Sequence, residues 1–238
     1  HPLSSSRISD AFNAAEGISE EGKKSDSLEF GLMKARLEVY YEKIPANALR
    51  SFQAKVNENP SDANIYGLAL AHEKNNNFDE SLSLLNNLIQ KYPKNLVINT
   101  TKVDVLLSND EFLRALVLVD RFLEISPKNY PLSISKSKVL LAMERYFESE
   151  EIIRDQLLRR NDDPELWLLL SEIQRTSQNI IGYHQSRAEY FLLLGQDEQA
   201  LNQLEFALQL TQNNFQVSES IMNKIVEIKK DLSNSRGL

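Results

Sequence analysis

Cysteine is absent from the 238 residues, histidine occurs three times and tryptophan once. The missing cysteine excludes disulfides, thiolate zinc sites and cysteine nucleophiles together. It does not fix the compartment, although a cysteine-free chain suits a bacterial periplasm, where stray thiols are oxidised. Three scattered histidines are poor grounds for a three-ligand zinc site inside the chain. Seven glycines and seven prolines are few, and almost no run alternates apolar with polar as a strand would. No stretch approaches 18 uninterrupted apolar residues, so no segment reads as membrane-spanning. Positive charge is short as well. A formal net charge of −7 argues against a broad nucleic-acid surface, which rests on dense Lys and Arg.

Catalytic signatures are also missing. Neither phosphate-loop fingerprint, G-x-x-x-x-G-K-[ST] or G-x-G-x-x-G, occurs, and no G-x-S-x-G elbow accompanies the serines. His72-Glu73-Lys74-Asn75-Asn76 opens like H-E-x-x-H but ends on Asn, a poor zinc ligand. His184 reads as a surface or interhelical hydrogen-bonding residue, and Trp167, in an apolar stretch, as core packing. The chain is expected to carry no catalytic residue and no cofactor of its own.

What is present is a period. Pro60, Pro93 and Pro127 fall 33 and 34 residues apart, each closing a similar pair of helix-like segments, and 42% of residues are hydrophobic. A period near 34 marks a helical solenoid. Units counted from Glu29, Asp62, Leu96 and Tyr130 place Ala48, Ala69, Ser81, Val103, Ala115, Ser137 and Ser149 at positions 8 or 20. Small residues there let two helices approach closely. Phe52, Leu85 and Ile153 take the bulky position 24. This pattern resembles the tetratricopeptide repeat family in degenerate form. It implies an all-α, right-handed solenoid of about four to six helix pairs.

A fifth match is offset. From Ile181, Ala188, Gly195, Ala200, Leu204 and Ala207 fit the pattern, one and a half periods after Tyr130. An extra helix beginning at Asp163-Pro164-Glu165 fills the gap, since Asp as N-cap and Pro at the first position are start signals. A last amphipathic helix with Phe215, Ile221, Ile225 and Ile228 is expected to cap the stack. Residues 1–27 read as a short helix, with Ile8, Phe12 and Ala15 on one face, followed by a polar linker. Residues 28–238 read as the solenoid.

The resemblance implies that the concave wall comes from positions 2, 5, 6, 9, 12 and 13 of each first helix. Tyr66, Leu70, Thr101, Asp104 and Lys138 are expected to contact a polypeptide segment there. The family's carboxylate clamp is absent, because positions 5 and 9 of the first full unit are Tyr66 and Leu70.

The flanks carry a second resemblance. His1-Pro2-Leu3-Ser4-Ser5-Ser6-Arg7-Ile8 is similar to the segment after the catalytic domain of periplasmic zinc metalloproteases related to the beta-barrel assembly-enhancing protease. Trp167-Leu168-Leu169-Leu170-Ser171, Gln185 to Tyr190, Gly195 and Gln199 to Leu204 are similar to that family's C-terminal repeats. The chain begins without an initiator Met, which fits a piece of a longer polypeptide. The resemblance implies an upstream zinc protease domain as one partner. It also implies outer-membrane protein assembly intermediates or the assembly machinery as others, a periplasmic location, and His1 as a residue able to approach the parent's zinc. The competing expectation is a free-standing adaptor or scaffold in envelope or secretion-system assembly.

Overall fold

The computed structural model describes residues 27–211 and 214–236, and among them it holds twelve α-helices and no strand. In chain order these are α1 (Leu28–Tyr41), α2 (Pro45–Glu58), α3 (Asp62–Lys74), α4 (Phe78–Lys91), α5 (Leu96–Ser108) and α6 (Phe112–Ile125). They continue as α7 (Tyr130–Ala142), α8 (Tyr146–Leu157), α9 (Pro164–Thr176), α10 (Ile180–Leu193), α11 (Asp197–Gln209) and α12 (Phe215–Arg236). The expected short helix and linker before Ser27 lie outside the described residues. No described helix is long and apolar enough to cross a membrane.

Sequence neighbours pack on one another from α2 onward, while α1, α3, α5 and α7 also touch in succession. The result is a tetratricopeptide-like helical solenoid. The expected small positions meet at the helix crossings: Ala69, Ser81, Val103, Ala115, Ser137 and Ser149 are all fully buried. In the fourth pair, Ser137 and Ser149 approach so closely that their hydroxyls lie 2.8 Å apart. Ser149 Oγ also donates to the Ser137 carbonyl at 2.8 Å. Between the first and second pairs, the Phe52 ring of α2 occupies the space beside Gly67 of α3; a Cβ there would meet it at 2.0 Å.

Two kinds of connection alternate along the chain. Between the first and second helices of the second, third and fourth pairs, one residue adopts a left-handed conformation: Asn76 (φ 60°), Asp110 (57°) and Glu144 (59°). Its N–H and the next one cap the helix by reaching back to carbonyls, as in Asn76 N to Glu73 O (2.8 Å) and Asn77 N to His72 O (2.9 Å). Lys128 (63°), between α6 and α7, is also left-handed but does not make the same pair of backbone bonds. First helices instead start on a side-chain cap: Ser27, Ser61, Asn95, Asn129 and Asp163 each accept from a backbone N–H of the first turn. The second helices α2, α4, α6 and α8 have no side-chain cap.

Helix α10 carries both marks. Gln178 (φ 62°) makes the left-handed turn before it, as before a second helix, and Asn179 caps it, as for a first helix. Another left-handed turn follows at Gly195 (φ 67°), only half a period further on. Thus α9, α10 and α11 are joined by two turns of the same kind, and α10 is both the second helix of one pair and the first of the next. The helix foreseen at Asp163–Glu165 is α9. It also continues the 34-residue series of first-helix starts at Asp62, Leu96, Tyr130 and Pro164.

A left-handed non-glycine residue costs about 1–2 kcal/mol relative to glycine before the unfolded chain's extra freedom is counted. Glu144→Gly is therefore expected to stabilise the chain by about 0.5–1 kcal/mol. Gly195→Ala, with open space around its Cβ but φ at +67°, should destabilise it by a similar amount. Urea unfolding midpoints check both.

Candidate protein-binding site

The row of first helices is tied together by a buried polar strut. Tyr66 on α3 places its hydroxyl between Arg36 on α1 and Thr101 on α5. Arg36 Nη2 donates to the Tyr66 oxygen and to Thr101 Oγ1, both at 2.6 Å, and its Nε donates to Tyr66 at 3.1 Å. Thr101 Oγ1 donates its own proton to the Val97 carbonyl at 2.7 Å. The 2.8 Å contact between the two hydroxyls is then a bond donated by Tyr66. Burial pushes the Tyr66 phenol above its ordinary range, against the Arg36 charge.

This arrangement corrects the expectation that Tyr66 offers an accessible ring to a partner. Tyr66 is 0% exposed, Thr101 1% and Leu70 8%. The reason is the close approach of the first two helices of this row: a Cβ on Gly31 of α1 would lie 2.8 Å from the Ala63 Cβ of α3. The space that position 5 would border is filled by the neighbouring helix. Asp104 is half-buried and Lys138 exposed, so these two of the five expected contact residues face the open wall.

Further along, the wall becomes open and charged. Leu70, Asp104, Lys138 and Glu172 occupy one register, each 34 residues from the last. Lys138 lines a cavity of about 220 Å³ between α7 and α9, with Tyr130, Ile134, Leu168, Leu169 and Glu172. Tyr130 is fixed there by its hydroxyl, which donates to Asp163 Oδ2 at 2.8 Å. Leu168 and Glu172 escaped the sequence reading because the unit was counted from Ile181. Counting on from Pro164 by the same 34 residues finds them.

Glu73 is the electrostatic outlier. Burial pushes its carboxyl up to about 7; the nearby Asp104 charge acts in the same direction, while the Ser108 hydrogen bond (3.3 Å) and Arg36 oppose it. Asp104 is raised too, by burial, with Lys138 and Arg36 opposing. This end of the wall holds two carboxylates that are incompletely neutralised by the chain's own cations, a setting that favours a cationic or hydrogen-donating partner group.

The histidines have local roles. His72 lies near the end of α3, with Nδ1 3.5 Å from Asn77 Nδ2, and Asn76 sits in the left-handed turn outside the helix. The H-E-x-x-N stretch cannot present two ligands on one helical face. His184 Nδ1 meets Gln203 Oε1 at 2.8 Å, an interhelical bond. Trp167 packs against the core cluster of α7 to α9 while its Nε1 donates to the Asn161 carbonyl at 2.8 Å.

No protein-family profile and no curated protein matches the chain. Solved structures do. One is a tetratricopeptide repeat protein from Parabacteroides merdae, 14% identical over 93% of this chain and 92% of that one, with a TM-score of 0.51. Another is a thermophilic tetratricopeptide repeat protein of Thermus thermophilus, 17% identical over 84% of this chain and 100% of that one, TM-score 0.51. At these identities the likeness establishes the fold.

Two measurements follow from the wall. Tyr66→Phe removes the hydroxyl joining three helices and should cost about 1–2 kcal/mol in urea unfolding. Tyr66→Ala empties a buried site at about 3–5 kcal/mol and would report stability, not binding.

The second measurement is pH-dependent. A raised carboxylate means that the folded state binds the Glu73 proton more tightly than the unfolded state, whose value is near 4.5. The contribution of Glu73 to stability is then most favourable below pH 4.5, falls as pH rises towards 7, and flattens above it. Glu73→Gln should leave stability at about pH 4 unchanged and raise it by about 1–2 kcal/mol at about pH 8, since partial exposure screens the full penalty.

Proposed function

We propose that the chain is the partner-recruiting repeat domain of a periplasmic zinc metalloprotease acting in outer-membrane protein quality control. The observation that carries this reading is the ordered set of flanking elements, His1-Pro2-Leu3 to Arg7-Ile8 at one end and Trp167 to Leu204 at the other. In this reading, the wall around Asp104 and Lys138 holds segments of outer-membrane protein assembly intermediates or of the assembly machinery. The zinc belongs to the upstream catalytic domain. Among the described residues no group of three His, Asp or Glu could hold it, and His1, which would approach it, lies outside them.

The outer face of α1 supports an upstream neighbour. Phe30, Met33, Leu37 and Tyr40 are 45–74% exposed and follow three-four spacing, the pattern of a helix face that packs on another element. A terminal repeat in a solenoid needs such a cover or a polar face. The natural polypeptide containing this chain is expected to purify from the periplasm with one zinc per molecule and to cleave casein. Leu37→Glu with Tyr40→Glu should loosen the repeat domain, so that limited proteolysis releases it from the zinc-bearing part. A natural polypeptide without zinc or proteolytic activity overturns the reading in favour of a free-standing adaptor.

A further inference from the structure

Helix α9 has a groove on each side. Glu165, Leu168, Leu169 and Glu172 line the one it shares with α7. Trp167 and Gln174 line the other, about 420 Å³, which α8, α10 and α12 complete. At about 3.6 residues per turn the two sets lie on opposite faces of α9. On α10 the residues facing the second groove are Gly182, Gln185, Ser186 and Glu189. Arg187 lies roughly 150° around α10 from their centre, on the side turned away from that groove.

Arg187 stands where the fold elsewhere keeps an apolar core. Leu85, Val119 and Ile153 precede it at intervals of 34 residues, on α4, α6 and α8, and all three are fully buried. Arg187 continues the series on α10 and is half-buried. The doubled turn changes its surroundings. Each of α4, α6 and α8 is followed by a first helix, whereas α10 leads through the turn at Gly195 into a second helix, α11.

The charge is held by rings, without an anion. The guanidinium carbon of Arg187 lies 5.2 Å from the centre of the Tyr190 ring and 4.7 Å from that of Phe191. The two rings meet edge-on, 5.4 Å apart. Arg187 forms no ion pair among the described residues, and its enclosed Nε has no hydrogen-bonding partner. The one acid of α10, Glu189, lines the groove and pairs there with Lys224 at 3.4 Å. Aromatic rings attract a cation but do not supply the oxygen acceptors that five N–H donors require. The Nη groups, which are unpaired but not enclosed, are the part a ligand can reach.

We propose that Arg187 is the anion-recognising residue of a carboxylate-binding site on the outward side of α10, taking an acidic side chain of a partner polypeptide. A planar carboxylate accepts two parallel hydrogen bonds from a guanidinium. One cation balances one carboxylate, whereas phosphorylated segments are read by clusters of Arg. Tyr183, one turn before Arg187, and Leu194, two turns after it and 44% exposed, give the site apolar borders, so the fitting segment carries apolar residues beside its acid. Arg187, Tyr190 and Phe191 are positions 7, 10 and 11 counted from Ile181, none of them on the concave wall. The site depends on the repeat fold alone, and on neither the zinc nor the compartment.

The probes are short blocked peptides with one Glu among Leu and Ala, the same peptides with Gln, the Gln peptides with a free C-terminus, and inorganic phosphate. Each is titrated into the full chain labelled with nitrogen-15. The Glu peptides are expected to shift the Arg187 Nε–H and the Tyr190 and Phe191 amide resonances saturably, at least about tenfold more tightly than the other probes. Emission of Trp167, which lines the groove, should stay unchanged. Arg187→Gln should weaken binding at least about tenfold, and Arg187→Lys, which keeps the charge but loses the planar fork, at least about threefold. Absence of a saturable shift, or equal affinity for Gln peptides, free C-termini or phosphate, overturns the proposal. A Trp167 response at the same affinity overturns it too, by placing the peptide in the groove. So does undiminished binding by a folded Arg187→Gln variant; if that variant does not fold, undiminished binding by Arg187→Lys decides in its place.

Discussion

The structure depends on one backbone turn made five times. Asn76, Asp110, Glu144, Gln178 and Gly195 each pass through φ near +60°, a conformation unfavourable for every one of them except the glycine. The turn persists because it closes the carbonyl end of one helix with two backbone hydrogen bonds and starts the next helix antiparallel to it. Three regular intervals of 34 residues place first helices in one row and second helices in another. The single interval of 17, from Gln178 to Gly195, moves α10 from one role to the other. The groove that Leu168 and Glu172 of α9 share with α7 follows the regular spacing, and the one that Trp167 and Gln174 line on the other side of α9 follows the short interval.

The fold was readable in the sequence because helix crossings demand small side chains, and small side chains recur. Ala69, Ala115, Ser137 and Ser149 are buried where the period places them. The half-period shift could also be read, from Asp163-Pro164 and the match beginning at Ile181. Four of the five left-handed turns could not, since Asn, Asp, Glu and Gln fill them without the glycine that marks the fifth. The wall was legible only in part. Position 5 predicts a surface residue when neighbouring first helices diverge, but Gly31 and Ala63 bring α1 against α3, and Tyr66 becomes a buried strut. Nothing in a degenerate repeat encodes how far two neighbouring first helices approach. The same limit hid Glu73, whose raised carboxyl depends on burial between helices and on Asp104, 31 positions away.

Stability and binding are divided along the wall. Its early part is closed by Arg36, Tyr66 and Thr101, a polar network whose hydrogen bonds are satisfied and whose members cannot reach a partner without unfolding α1 from α3. Its later part, from Asp104 to Glu172, keeps charge at the surface and leaves apolar Ile134 and Leu168 beside it. A partner held there gains from desolvated carboxylates that the chain's own cations neutralise incompletely. The far side of α9 is different in kind: Lys224 pairs with Glu189 and Arg154 with Glu150, while Glu227 on the same side has no ion pair among the described residues.

The central claim, that the rows exchange at α10 and put the grooves on opposite faces of α9, is tested most directly by distances between paired spin labels. The absence of cysteine lets labels be placed at single introduced thiols. Labels replacing Lys138 and Glu172, which line one groove, should give a short distance, as should labels replacing Gln185 and Asn223, which line the other. Labels replacing Glu172 and Asn223 should be clearly further apart than either pair, with α9 between them. A Glu172–Asn223 distance as short as the within-groove pairs would place all four on one continuous wall and contradict the account.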